Sequence, residues 1–185
     1  MSRTYGRSVV IALSLVLILA ACGRRADSDP NAITWKTYSN DEIGVTLEMP
    51  DDWTVTLDGA DSLSLDHPKA DVGAQVFITP AADFIGTGLD EPLAFLQMFT
   101  DAFSDNGGAD NGLETLQPLT TTTIQGQPAA RVTLKGNLDE ANGVVVMAAL
   151  TNSRSLAVIM TVDGTSDNAY SAVLERLLQS VQLSE

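Results

Sequence analysis

One cysteine, Cys22, occurs in 185 residues. That excludes an internal disulfide and leaves the core to hold an exported domain together. There is also one histidine, His67. A Ser-His-Asp or Cys-His mechanism would have to use it, yet no G-x-S-x-G elbow accompanies it. A zinc centre of the His/Cys type is excluded for want of ligands. His67 lies before Pro68, between strand-like stretches, and reads as a surface-loop histidine. Glycine-rich phosphate loops are missing as well. Gly86-Thr87-Gly88 does not continue into a Rossmann or Walker pattern, and is expected only to loosen the loop before a helix. Basic charge is scarce: 10 Lys and Arg face 24 Asp and Glu, a formal net charge of −14. This balance argues against nucleic acid and anionic lipid head groups as electrostatic partners. It suits solubility, a cationic partner or divalent cations.

The apolar run at residues 9–21 is 13 residues long. At about 1.5 Å per residue it covers roughly 20 Å of a hydrocarbon core about 30 Å thick. It is too short for a permanent span and suits the core of an export signal, with Arg3 and Arg7 as its positive flank. The run ends Leu19-Ala20-Ala21-Cys22, and this ending resembles the lipobox of bacterial lipoproteins. The resemblance implies that Leu19, Ala20 and Ala21 are read by the signal peptidase, that cleavage precedes Cys22, and that Cys22 carries fatty acyl groups such as palmitate. Two or three acyl chains anchor firmly where one holds only marginally. The alternative is a secretory signal cut elsewhere, with Cys22 a spectator or a free thiol. The expected organisation is a signal peptide at 1–21, a polar tether containing Pro30 at 22–33, and one folded domain at 34–185. Without the leader, 8 basic residues face 24 acidic ones, a charge of about −16.

Within the domain, Ile43, Val45, Leu47 and Met49 alternate with polar or small residues, the period of a half-buried strand. Trp53, Val55 and Leu57 alternate again after Pro50 and predict its antiparallel return, with Asp58-Gly59 as the next turn. Leu63 with Leu65, and residues 74–79, give two more strands. A helix is predicted from Asp90-Glu91-Pro92, with Leu93, Leu96, Phe99 and Phe103 on one face and Asn106-Gly107-Gly108 as its stop. Strands follow at 114–124, 129–135, 144–151 and 156–162, with Ala130, Val132 and Leu134 on one face and Asn142-Gly143 as a turn. The last two strands are so continuously apolar that both of their faces should be covered. Thr165 or Ser166 is expected to cap a final helix whose stripe is Tyr170, Val173, Leu174, Leu177, Leu178 and Val181. The order strands, helix, strands, helix predicts an α+β domain on an antiparallel β-sheet with helices packed on it.

The stretch 38–53 (YSNDEIGVTLEMPDDW) is similar to the opening hairpin of PsbP-like domains, the PsbP/Mog-type fold. Tyr38, Gly44, Val45, Leu47, Pro50 and Trp53 occupy the recurring positions. The Gly126-Gln127-Pro128-Ala129 turn and the ending Gln179-Ser180-Val181-Gln182-Leu183 match as well. The resemblance implies an α-β-α sandwich around an antiparallel sheet. Members of that family serve unrelated roles, so it implies no particular activity. Trp53 reads as a core residue.

Asp101, Asp105 and Asp110, around the loop 105–112, are calcium candidates because hard cations want clustered oxygens. The loop misses the EF-hand spacing, so a solvated loop is the competing reading. Asp51 and Asp52 are adjacent in a turn and are expected to point apart. The function expected is therefore a lipid-anchored, extracytoplasmic envelope protein, non-enzymatic and without a cofactor. It would act as a binding or assembly module toward an envelope protein, attached to the cell membrane or outer envelope by its lipid. Calcium or small-ligand binding is the alternative, and a metal-dependent hydrolase a further one.

Overall fold

Among the residues described by a computed structural model, 33–57, 61–107, 114–138, 141–165 and 167–184, alternating patterns become ten strands in two antiparallel sheets. The small sheet has the order β1-β2-β10, with β1 Trp35–Asn40, β2 Val45–Pro50 and β10 Gln182–Leu183. The large sheet has the order β3-β4-β5-β9-β8-β7-β6. Its strands are β3 Thr54–Leu57, β4 Ser62–Asp66, β5 Val72–Pro80, β6 Glu114–Ile124, β7 Gln127–Leu138, β8 Ala141–Thr151 and β9 Ser155–Asp163. Two α-helices complete the described fold, α1 Pro92–Gly107 and α2 Ser171–Ser180. This is an α+β architecture on antiparallel sheets.

The two helices lie on opposite faces of the large sheet. Side chains alternate across a strand. Ala130, Val132 and Leu134 of β7, Val145, Met147 and Ala149 of β8, and Leu156 and Val158 of β9 form one buried cluster with Phe95 and Leu96 of α1. The intervening residues face α2, which packs against both β9 and β2. Val173, Leu174, Leu177 and Leu178 are its buried residues, as the stripe predicts. At the end of α2 the Ser180 hydroxyl donates to Leu177 O at 2.6 Å and accepts the Glu48 N–H of β2 at 2.8 Å. The chain then runs directly into β10, where Leu183 pairs with Val45.

Several expectations are corrected. Residues 35–40 form a strand that the pattern did not announce, because only part of each side chain is covered on this edge. The partner of β2 is β1, closed by a turn in which Gly44 has φ +71°, a conformation glycine adopts without a Cβ clash. The segment through Pro50 and Trp53 is therefore a crossing between sheets: β3 pairs with β4, and the antiparallel return to β2 is overturned. Asn142 and Gly143 lie inside β8, opposite Asn137 and Gly136. A Cβ at Gly143 would come 2.8 Å from Asp163 O, so close backbone approach, and not a turn, explains this glycine. Leu93 is 39% exposed, and Phe95 takes its place on the buried face of α1. Asp58, Gly59, Gly108, Asp110 and Ser166 lie outside the described residues, as does everything before Ile33.

Two substitutions test the joint between α2 and β2. Leu177→Ala removes a fully buried side chain and is expected to cost about 2–5 kcal/mol. Ser180→Ala leaves the Glu48 N–H without its acceptor and is expected to cost about 1–3 kcal/mol. Urea denaturation of each variant against the parent chain measures both.

Candidate functional site

Val144 and Val146 sit on the central strand β8, yet both are only half-buried, while Val145 and Met147 on the opposite face are fully buried. The cover that α2 gives the sheet is incomplete there. The gap is a cavity of about 190 Å³ between α2 and strands β6 to β9. Its polar wall consists of Gln117, Arg131, Thr133, Thr161, Asp163 and Glu175, with Asn168 just before α2 and Ser171 at its start, and its apolar wall of Val144, Val146, Leu174 and Leu178.

The polar wall is graded by depth. Thr133, Thr161 and Asp163 are 7%, 1% and 2% exposed. Thr133 donates to Gln117 Oε1 at 3.0 Å, and Thr161 donates to Val146 O at 3.3 Å. The Asp163 carboxylate accepts the N–H groups of Thr165 and Tyr170 and a short bond from the Thr165 hydroxyl. It thereby organises the loop that delivers α2. Thr165 also accepts the Ala169 N–H, so it braces this loop and does not cap the helix, which begins at Ser171. Toward solvent, Arg131 and Glu175 are paired through two contacts of 2.8 Å. The hydrogen bond from Arg131 holds the Glu175 carboxyl below its ordinary value of 4.5 against the opposing effect of burial, and a bond from Gln179 adds to the lowering. One donor is left over: Arg131 Nε is buried and has no hydrogen-bond partner.

A second depression, of about 440 Å³, lies open between β2 and α2. It is larger, but its groups are committed to one another. Arg176 binds Glu48 through Nε and Nη2 and stacks 4.1 Å from the Trp35 ring centre. Gln125 donates to Gln179 O, and Gln182 donates to Gln125 Oε1. Gln127 brackets Leu183 with its amide, donating to Leu183 O and accepting its N–H at 3.4 Å. These bonds fasten the chain terminus to the β6–β7 turn and give the residues of the two PsbP-like motifs a structural role.

The residues singled out from sequence fall elsewhere. His67 is half-buried between the rings of Trp53 and Tyr170, with centroids at 6.0 and 4.8 Å. As expected it lies in the loop between β4 and β5, but its Nδ1 accepts the N–H groups of Lys69 and Ala70, so it also organises that loop. Trp53 is 3% exposed, as a core residue should be. Asp51 and Asp52 are both exposed. Asp101 accepts a bond from Gln97 at 2.7 Å on α1. The Asp105 side chain and Asp110 lie outside the described residues, as do Leu19, Ala20, Ala21 and Cys22. Among the described residues, no three His, Cys, Asp or Glu side chains gather where they could hold a metal ion. The cavity residues escaped notice because Arg131, Thr133, Asp163 and Glu175 belong to three separate elements. The one signal available was Arg131 and Thr133 alternating with Ala130, Val132 and Leu134 on β7.

No family model matches the chain, and neither does any curated protein. Solved structures do. Cyanobacterial PsbP (CyanoP) from Synechocystis sp. PCC 6803 superposes with a TM-score of 0.63 at 16% identity, over 82% of this chain and 93% of that one. A crystal structure from Bacteroides thetaiotaomicron VPI-5482 gives 0.56 at 10% identity, over 81% of this chain but only 48% of that one. LpqN, involved in cell envelope biogenesis of Mycobacterium tuberculosis, gives 0.46 at 10% identity over 84% of this chain, a likeness too distant to argue from. The fold is therefore PsbP-like, and identities this low carry the fold alone.

The Arg131–Glu175 pair supports a pH test. A carboxyl whose folded pKa is lowered contributes stability above its unfolded value, and that contribution is lost as pH falls through the folded value. Because Glu175 is 42% exposed, the margin over Glu175→Gln should stay below about 1 kcal/mol. Denaturation at a series of pH values should show this margin complete above 4.5 and gone in stronger acid.

Proposed function

We propose that this chain is an extracytoplasmic, lipid-anchored binding or assembly module of the cell envelope, without catalytic activity, whose working part is its PsbP-like domain. The observation that carries the reading is the Leu19-Ala20-Ala21-Cys22 ending of the apolar run at 9–21. Acylation at Cys22 supplies the anchor. Consistent with it, no helix among the described residues is long and apolar enough to cross a membrane. The non-enzymatic reading is supported by the engagement of the lone histidine, whose Nδ1 is taken by two backbone N–H groups. The acidic surface favours protein or neutral partners over nucleic acid. The cavity beside Arg131, with its unpaired donor, supports a binding role within the module.

Intact mass spectrometry of the membrane-extracted protein is expected to show a chain beginning at Cys22 with acyl groups attached. Cys22→Ala is expected to move the protein from the membrane fraction to the soluble or unprocessed pool. A wild-type chain that keeps its first 21 residues and carries no acyl group would overturn the anchor.

A further inference from the structure

We propose that the cavity between α2 and the large sheet binds a small, neutral, hydroxyl-rich molecule, in the range from glycerol to a single sugar; this rests on the binding-module reading and gives it a ligand class. Charge comes first. Arg131 is the only cation in the cavity wall, and Glu175 already neutralises it through paired contacts. Asp163 adds a buried negative charge nearby. An anionic ligand would meet two carboxylates with no spare cation, an arrangement that disfavours it. A simple cation has no acceptor to offer the buried Arg131 Nε–H. That donor, left without a partner, costs free energy until an acceptor arrives.

A hydroxyl both donates and accepts, so it suits a wall that mixes the two. Among the lining residues, Arg131 and Gln117 carry donors, and Thr133, Asn168, Ser171 and Glu175 carry acceptor oxygens. Val144, Val146, Leu174 and Leu178 offer an apolar surface to the C–H face of such a molecule. Size agrees. A volume of about 190 Å³ corresponds to roughly six water molecules at about 30 Å³ each. It lies below the range of about 300–1,000 Å³ usual for larger ligands.

The test uses the full-length acylated chain, in a detergent without a sugar head group and in glycerol-free buffer. Free glycerol, free glucose and glucose carried on a glycolipid vesicle are titrated by calorimetry and ligand-observed NMR, with acetate and inorganic phosphate as anionic comparators. Saturable binding of at least one neutral probe is expected, and binding of the vesicle alone assigns the hydroxyls to a lipid head group. Arg131→Lys keeps the charge and removes the Nε–H, and is expected to weaken binding about tenfold. Val146→Phe fills the cavity from its apolar wall and is expected to abolish binding. Thr133→Val, close in shape and lacking the hydroxyl, is expected to weaken binding and serves if either of the others fails to fold. The proposal is overturned if the folded wild-type chain binds no neutral probe, which leaves a water-filled cavity. It is also overturned if acetate or phosphate binds more tightly than the neutral probes, or if the folded variants bind as the wild type does. Membrane retention through Cys22 is scored on the same preparation, so an empty cavity and a failed anchor are distinguishable.

Discussion

The contact between α2 and β2, closed by the Ser180 hydroxyl and continued by β10, joins the small sheet to the large one. Helix α2 is the element that packs against both β2 and β9. Its buried residues Val173, Leu174, Leu177 and Leu178 follow the spacing that keeps one stripe on one face. Directly after the helix the chain adds two residues to the small sheet, which is why that sheet has a third strand at all. Gln127 then brackets Leu183 and ties the same segment to the start of β7. The terminus of the chain thus fastens both sheets.

The cavity follows from the same geometry. A helix of ten residues is about 15 Å long. Seven strands spaced about 4.8 Å apart are far wider than that. A short helix cannot cover such a face, so the strip over β7 and β8 has to tolerate water or a ligand. Arg131 and Thr133 of β7 and Val144 and Val146 of β8 stand on that strip, with Thr161 and Asp163 beside them on β9. On the opposite face α1 covers the same strands, and there the residues are Ala130, Val132, Leu134, Val145, Met147 and Ala149. The polar and apolar faces of one set of strands record how completely each is covered.

The motifs that link this sequence to the PsbP-like fold act in the same framework. Gly44 makes the first hairpin turn, Trp53 enters the core, and Ser180 with Gln127 secures the terminus. None of them lines the cavity beside Arg131. This separates what the fold needs from what the individual protein can bind, and it explains how the fold appears in CyanoP at 16% identity without carrying a function with it.

The strands β2 to β9 and both helices were legible in the sequence, because their side-chain periods of two and of three to four report burial on one face. Of the stripe predicted for the last helix, Val173, Leu174, Leu177 and Leu178 are buried within it and Val181 just after it, while Tyr170 precedes the helix and is half-buried. Strand pairing across the chain was not legible, since a period says which face is buried and not which strand lies alongside. That is why β3 was paired with β2; β1 went unseen because its side chains are covered only in part, and β10 because two residues show no period. The Leu19-Ala20-Ala21-Cys22 ending of the apolar run at 9–21 is wholly a property of the sequence, and its resemblance to a lipobox is read as a linear motif. The cavity is wholly a property of the tertiary structure. Arg131 and Glu175 are 44 residues apart, and only the packing of α2 against β9, with β8 and β7 alongside, places a guanidinium, a buried aspartate and two half-covered valines around one space.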